Sequence, residues 1–377
     1  MRILFLCGSL EPGCDGVGDY TRLLASELIK MGHQASGIAL YDNEVKNIGE
    51  EVQERNDIGF PVLRIPVSYP IKKRFSTARH FIQMNKPDWV SFQYVPYSFH
   101  NKGIPYILFK NIEKLKTGSK WHIMFHELWI GTMKKCPVKH KIVGYLQRRL
   151  LEAIVKKVNP ELITTTNRLY QCMLSEYKIN SKVLPLFSNI SVSQIDMTFY
   201  KKVFHDLSIS YKNLHEWKFI GIFGSLHLDS NLEEAIEEQL HQAEADNKQL
   251  AFIGVGKVNE RGEKELMRLK EKFGSKVKFL HLGKQPAENV SNLLQLLDVG
   301  ISCTPLQYIT RSGVYAAMKL HDLKVVVPNV EINHKYQKDI IVYNEKINKR
   351  PKESWSAAYI SDKFLNLLHY SHDSVTY

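Results

Sequence analysis

Short aliphatic and aromatic runs alternate with longer stretches of helical periodicity along most of this chain, and that alternation limits the fold more than any other feature. The first half reads RILFLC, DYTRLLASELIKMG, SGIALY, PVLRIP, ARHFIQMNK, DWVSFQY, WHIMFH and ELITTTN. Brief apolar runs bounded by turn signals and separated by amphipathic segments signal parallel strands covered by helices. The second half repeats the scheme with FIGIFGS, NLEEAIEEQLHQAEA, QLAFIGVG, GEKELMRLKEKF, VKFLHLG, ENVSNLLQLL, VGISCTP, a helix near Gly313 to His321, and KVVVPN. Two α/β units follow one another, which a length of 377 residues accommodates. Periodicity weakens from Ser188 to Glu216, after the run VLPLFSN and before WKFIGIFG, so that run is expected to carry the linker. The expected division is one Rossmann-like domain at 1–195, a second at 196–350, and a helical segment at 351–377 that packs back toward the first.

Net charge is +12 with a pI near 9.2, which implies attraction to an anionic partner: nucleic acid, an acidic lipid surface or a phosphorylated small molecule. The distribution discriminates better than the total. Between Gly131 and Pro160 stand Lys134, Lys135, Lys139, Lys141, Arg148, Arg149, Lys156 and Lys157 against the single acid Glu152. Ile142, Leu146, Leu150, Ile154 and Val158 recur there at four-residue spacing, the pattern of an amphipathic helix with basic flanks. Two readings stand: an anionic membrane surface contacted through residues 131–160, or an ordinary helix with a solvated basic face. Nucleic acid is disfavoured, because no recognition module accompanies the charge.

The cysteines, Cys7, Cys14, Cys136, Cys172 and Cys303, show no CxxC or Cys/His ligand spacing and read as free thiols in a reducing compartment. MRILFLCGSLEPG has one Arg and an apolar stretch too short for a signal peptide, and reads as a first buried strand. No later stretch approaches the roughly 18 to 20 apolar residues of a membrane-spanning helix. The expected location is cytoplasmic, with a peripheral position at the inner face of the cell membrane if the basic stretch binds lipid.

The segment Gly8-Ser-Leu-Glu-Pro-Gly13-Cys-Asp-Gly16-Val-Gly18 follows the first strand and precedes a helix. A Gly-rich turn there can bring backbone N–H groups and the positive end of a helix dipole to a phosphate or a sugar, or can simply be a flexible loop. Its spacing is not GxGxxG, which disfavours a dinucleotide site. GVGDYTRLLASELIKMGH, DWVSFQYVPYSFHNKGIP, MFHELWIG, ITTTN, VLPLFSNI, GIFGS, FIGVG and FLHLGKQPAENVSNLLQLLDVGISCTP then occur in an order that resembles family 4 retaining glycosyltransferases of the GT-B fold, over about residues 1 to 330.

That resemblance implies two Rossmann-like domains facing across a cleft, with the acceptor bound mainly by the N-terminal one and a nucleotide diphosphate sugar mainly by the C-terminal one. It implies transfer of a hexosyl unit with retention, no cofactor and no metal, in keeping with the absence of an Asp-x-Asp motif. UDP is the expected nucleotide and GDP the second; a glycan or lipid-linked molecule in cell-surface polysaccharide or glycolipid synthesis is the expected acceptor.

Thr310-Arg311-Ser312-Gly313 precedes the helical stretch VYAAMKLH and carries the parts that hold a phosphate: a helix N-terminus, hydroxyls, a glycine and a cation. Ser312 could equally serve as the helix cap. The resemblance places Gly16, Val17, Gly18, Gly224, Ser225, Gln285 and Val314 with these on the donor side. The family's common pair of glutamates is missing: Tyr308 and Ala316 stand in their places, which puts the donor-sugar contacts in doubt. No basic residue follows Gly224-Ser225 closely, and Lys257 is the candidate substitute.

His126 closes a strand, where open α/β sheets place ligand-binding groups, and the resemblance puts it in the cleft. Glu127 is the candidate base for the acceptor hydroxyl, and Asp19 either caps the first helix, sits in its first turn or approaches the acceptor. Gln93 and Tyr94 are candidates for the acceptor side, although aromatics as dense as Phe92, Tyr94, Tyr97 and Phe99 also make cores. The competing functions are a sugar-nucleotide epimerase, which would need acid–base carboxylates, and a catalytically silent partner that binds nucleotide or glycan.

Overall fold

The structure is a computed structural model that describes residues 1–55, 58–132, 136–224, 231–328 and 334–370. In chain order the first elements are β1 (Arg2–Cys7), α1 (Gly16–Lys30), β2 (Gln34–Asp42), β3 (Gly49–Arg55), β4 (Ile58–Pro66), α2 (Ile71–Asn85), β5 (Trp89–Tyr94), α3 (Pro96–Phe99), α4 (Tyr106–Asn111), β6 (Lys120–Phe125), α5 (Val138–Val158), β7 (Leu162–Thr165), α6 (Arg168–Ser175) and β8 (Lys182–Val183). There follow α7 (Met197–Asp206), β9 (Trp217–Phe223), α8 (Leu232–Ala245), β10 (Gln249–Val255), α9 (Glu260–Phe273), β11 (Val277–His281), α10 (Ala287–Leu296), β12 (Val299–Ile301), α11 (Gly313–Leu320), β13 (Lys324–Val326), α12 (Gln337–Asn348) and α13 (Ala357–Tyr370).

These elements form two compact units. The first contains Met1–Pro185 together with 334–336 and 357–370; the second contains 186–328 and Gln337–Ser356. The second unit opens ahead of the join read from the sequence because the latter part of the run VLPLFSN, from Leu186, is already part of it. Leu186 N donates to Thr310 O at 3.0 Å, and Ser188 N to Trp355 O at 2.9 Å.

The first unit is built on an eight-stranded sheet ordered β3-β4-β2-β1-β5-β6-β7-β8. Its pairs are parallel except β3 with β4. Strands covered on both faces must be apolar on both, and RILFLC is buried from Ile3 to Cys7. β3 was not legible as a strand: GEEVQER is charged because it lies at the sheet edge, where acids discourage pairing with another chain. The last helix, α13, packs on α1. Its Phe364 ring lies 6.4 Å from Phe5 and 5.1 Å from the His122 ring.

The second unit has a five-stranded, all-parallel sheet ordered β11-β10-β9-β12-β13. Periodicity looked weak before β9, yet α7 forms there and buries Phe199, Tyr200, Val203 and Phe204 against this sheet. Asp196 caps that helix by accepting from Thr198 N at 2.8 Å.

Candidate functional site

In the first unit the strand order reverses between β1 and β5, the position at which open α/β sheets bind ligands. The turn after β1 runs hard against the chain after β5: a β-carbon on Gly8 would lie 2.7 Å from Ser98 O. The helix that follows is self-capped. Asp15 accepts from Val17 N at 3.2 Å and from Gly18 N at 3.3 Å, so two of the N–H groups expected to meet a donor already have a carboxylate. Burial raises the Asp15 pKa, and Asp19 adds to the rise, against the lowering effect of those two N–H groups. Asp19 is therefore not the cap. It sits in the first turn, accepting from Gly13 N at 3.0 Å and from Arg22 at 2.9 Å.

His126 is 5% exposed and continues the ladder of β6, its N–H donating to Tyr94 O at 3.1 Å. Its Nε2 lies 2.8 Å from Gln93 Oε1, and the Tyr20 ring of α1 meets it edge-on at 5.1 Å. Gln93 and His126 are thus brought together. Tyr94 is not with them: side chains alternate along a strand, so it points to the opposite face. There it is wholly buried, its ring 5.7, 6.3 and 5.4 Å from those of Phe92, Phe99 and Phe125. Its assignment to the acceptor side is corrected to the core. Glu127, the next residue, is half-buried.

In the second unit the order reverses between β9 and β12. Three adjacent strands end in glycines of positive φ, Gly224 at 92°, Gly256 at 135° and Gly283 at 65°. Gly224 N donates to Val255 O and Gly256 N to Gly283 O, each at 2.9 Å, so the strand ends are drawn together. The N-terminus of α11 reaches the same place, since a β-carbon on Gly224 would lie 2.8 Å from Val314 Cγ2. Ser312 is the cap of that helix: its Oγ accepts from Tyr315 N at 3.2 Å and from Thr304 Oγ1 at 3.0 Å. With Ala316 N donating to Ser312 O at 3.0 Å, the N–H groups of Gly313 and Val314 are the helix donors ahead of the capped ones. Among the described residues a β-carbon at Gly313 would meet only Asn189 Oδ1, at 3.8 Å.

The Arg311 guanidinium carbon lies 5.4 Å from the centroid of the Tyr308 ring, and Thr310 is buried beside them. Lys257 is exposed just beyond Gly256. Gln285 is engaged within its own turn, its Nε2 donating to Leu282 O at 2.7 Å and its Oε1 accepting from Asn289 Nδ2 at 2.9 Å. Ser225 lies outside the described residues, as do Lys134 and Lys135.

The basic helix α5 has two apolar faces. Gly144, Gln147, Leu151, Ile154 and Val158 turn inward. Val138, Ile142, Tyr145 and Leu146 are 70%, 58%, 55% and 43% exposed, so the stripe read from the sequence is split between core and solvent. Glu152 answers two of the cations, accepting from Arg148 and from Arg149. Among the described residues no helix is long and apolar enough to cross a membrane.

Sequence reasoning missed Asp15, Thr304, and the polar residues Ser91, His122 and Thr164 beneath Gln93. Ser91 and Gln93 at alternate positions of an otherwise apolar strand were the available signal.

No family model matches this chain, and no curated protein matches it. Solved structures do. HepE from Anabaena, determined with UDP and glucose, is 14% identical with a TM-score of 0.54, covering 98% of this chain and 100% of its own. A glycosyltransferase from Rickettsia africae is 15% identical with a TM-score of 0.57, covering 98% of both chains. The fold is GT-B. The GT-B fold also includes a likeness to the UDP-GlcNAc 2-epimerase of Methanocaldococcus jannaschii, 10% identical with a TM-score of 0.52 and covering 98% of this chain and 100% of that one.

Proposed function

We propose that the protein is a family 4 glycosyltransferase that moves a hexosyl unit from a nucleotide diphosphate sugar, UDP-linked first and GDP-linked second, to a glycan or lipid-linked acceptor, with retention and without a metal. The observation that carries this reading is the strand-order reversal of the second unit, where Gly224 meets the N-terminus of α11 with the N–H groups of Gly313 and Val314, Arg311 standing two residues ahead of that helix end against the Tyr308 ring. Fixed dipoles and one cation at the end of a sheet suit a diphosphate whose charge grows as it leaves. HepE, solved with UDP and glucose, lends support as a fold neighbour. On the acceptor side the reading uses His126, oriented by Gln93, to hold a sugar hydroxyl, and Glu127 beside it as the acceptor's base.

The outward face of α5 supports a membrane partner. Val138, Ile142, Tyr145 and Leu146 would enter the headgroup region while Lys139, Lys141 and Arg149 meet anionic lipid. This would bring the enzyme to a lipid-linked acceptor in cell-surface polysaccharide or glycolipid synthesis.

The test is a panel of nucleotide sugars incubated with the protein and membrane extract, with released nucleotide diphosphate read by chromatography. Release from one donor, lost in Arg311→Ala, supports the transferase. A sugar converted with no nucleotide released points to epimerisation. One observation favours a silent partner: Ala316 is wholly buried in a cluster with Ile309, Tyr315 and Trp355, so its place offers no group to a donor sugar. A nucleotide that raises thermal stability with no turnover of any donor would decide for that reading.

A further inference from the structure

The chain leaving β6 is clamped onto α5 as far as Gly131. Leu128 is buried, and Ile130 N donates to Oε1 of the buried Gln147 at 3.0 Å. Gly144 of α5 has no room for a β-carbon, which would strike Ile130 O, and one on Gly131 would strike His140 O. Between these anchors stands Trp129, half-buried and two residues beyond Glu127. A tryptophan on a backbone fixed at both sides keeps its place when a ligand arrives, so little ordering entropy is lost.

Other rings join it. Tyr177, just beyond α6, meets Trp129 edge-to-face with ring centroids 5.6 Å apart and an interplanar angle of 81°. The Arg148 guanidinium carbon lies 4.2 Å from the centroid of Tyr177 and 5.2 Å from that of Tyr145, and Glu152 accepts from Arg148. Tyr177 and Tyr145 are 38% and 55% exposed. Among the described residues their hydroxyls and Trp129 Nε1 make no hydrogen bond.

We propose that Trp129, Tyr177 and Tyr145, braced by Arg148, form a platform for the saccharide of the acceptor. A pyranose has a face of C–H groups that packs on an aromatic ring, and hydroxyls around its edge that need partners; three rings with polar tips offer both. Glu152 answers the Arg148 charge, which suits a neutral sugar better than a phosphate headgroup. Position favours a substrate over a partner protein. The platform begins in the loop that carries His126 and Glu127, at the end of β6, one strand from the reversal between β1 and β5 where open sheets bind ligands. At Tyr145 it meets the outward apolar stripe of α5, so a lipid-linked saccharide could lay its sugars on the rings and its lipid along the stripe. The acceptor's role rests on the transferase reading; saccharide binding by the rings does not.

The test is an array of immobilised oligosaccharides, neutral and acidic, probed with the labelled full chain, followed by titration of the best-retained one in solution. Trp129→Ala and Tyr177→Ala should each weaken binding about tenfold, the scale of one lost aromatic contact, and Trp129→Phe should restore most of it. Tyr177 is exposed, so its variant stays folded where Trp129→Ala does not. In transfer to that saccharide its KM should rise about tenfold with kcat within about twofold of wild type, a split that a merely structural defect would not give. A wild-type chain that retains no saccharide, or variants that bind as wild type does, overturn the inference. Loss of phosphatidylserine vesicle binding in place of saccharide binding also overturns it and makes the rings part of a lipid surface. Saccharide binding lost in the variants, with no donor turned over by the wild type, keeps the platform and removes the transferase reading.

Discussion

A β-carbon placed on Gly256 would lie 2.4 Å from the carbonyl oxygen of Gly224. The two glycines end neighbouring strands, and their backbones approach so closely that Gly256 has no room for a side chain. Gly256→Ala should therefore cost about 2 to 4 kcal/mol, combining the strain of a φ of 135° with the contact. Gly16→Ala is the control. Among the described residues nothing lies within 4 Å of a β-carbon there, and at the start of α1 the change should stabilise by about 0.5 to 1 kcal/mol. Urea unfolding of both variants checks the opposite signs.

Ser312 and Arg311 should separate in their effects. Ser312→Ala removes a cap, worth about 1 kcal/mol or about 2 to 4 °C in thermal midpoint. Ser312→Asp keeps the cap but sets a negative charge beside an incoming diphosphate, so stability should hold while UDP no longer raises the midpoint. Arg311→Ala should leave the midpoint nearly unchanged and lower kcat/KM for the donor by about 100-fold or more. Calorimetry with and without UDP, beside steady-state kinetics, reads all three. Loss of UDP stabilisation in none of them would move the diphosphate away from α11.

The buried His122 gives stability a predictable slope with pH. Its pKa is about 3 folded against 6.5 as the ordinary value, so below about pH 6.5 the unfolded chain takes up a proton that the native chain refuses. Stability from this group is fully present above pH 6.5. It is lost as pH falls toward 3, at up to about 1.4 kcal/mol per pH unit. His122→Gln should be less stable than wild type at pH 7 and close much of that gap by pH 4. A gap that stays constant in urea titrations at pH 7, 5.5 and 4 would show that His122 titrates normally.

On α5 the inward and outward apolar residues should behave oppositely. Leu151→Ser, buried, should cost about 2 to 4 kcal/mol. Ile142→Ser with Leu146→Ser, both exposed, should leave the thermal midpoint within a degree or two and abolish sedimentation with phosphatidylserine vesicles. Vesicle binding that survives the exposed pair would leave the basic face a solvated one.

Sheet strands were legible because parallel strands buried on both faces must be apolar runs, as RILFLC and LAFIGV are. GEEVQER was not, since an edge strand carries acids and breaks that rule. The turn at Arg311 to Gly313 could be read as a helix start, and Ser312 as its cap. Gln285 and Tyr94 could not be placed, because a sequence does not say whether an amide spends its hydrogen bonds within its own turn, or which face of a strand a tyrosine takes. Asp15 was passed over for Asp19, four residues on: both are plausible near a helix start, and only the backbone settles which one meets Val17 and Gly18.

α13 lies in the first unit although its residues come last in the chain, and it covers His122 and Phe5. A gene fragment that stops at Pro185 would not encode a self-sufficient half. It would expose an apolar surface over the sheet, and with it the polar residues beneath Gln93. The smallest faithful excision is discontinuous in the gene, with 357–370 spliced behind Pro185 through a flexible linker. Expression of the fragment with and without that splice, compared by solubility, would show how far one half of the molecule depends on a helix encoded beyond the other half.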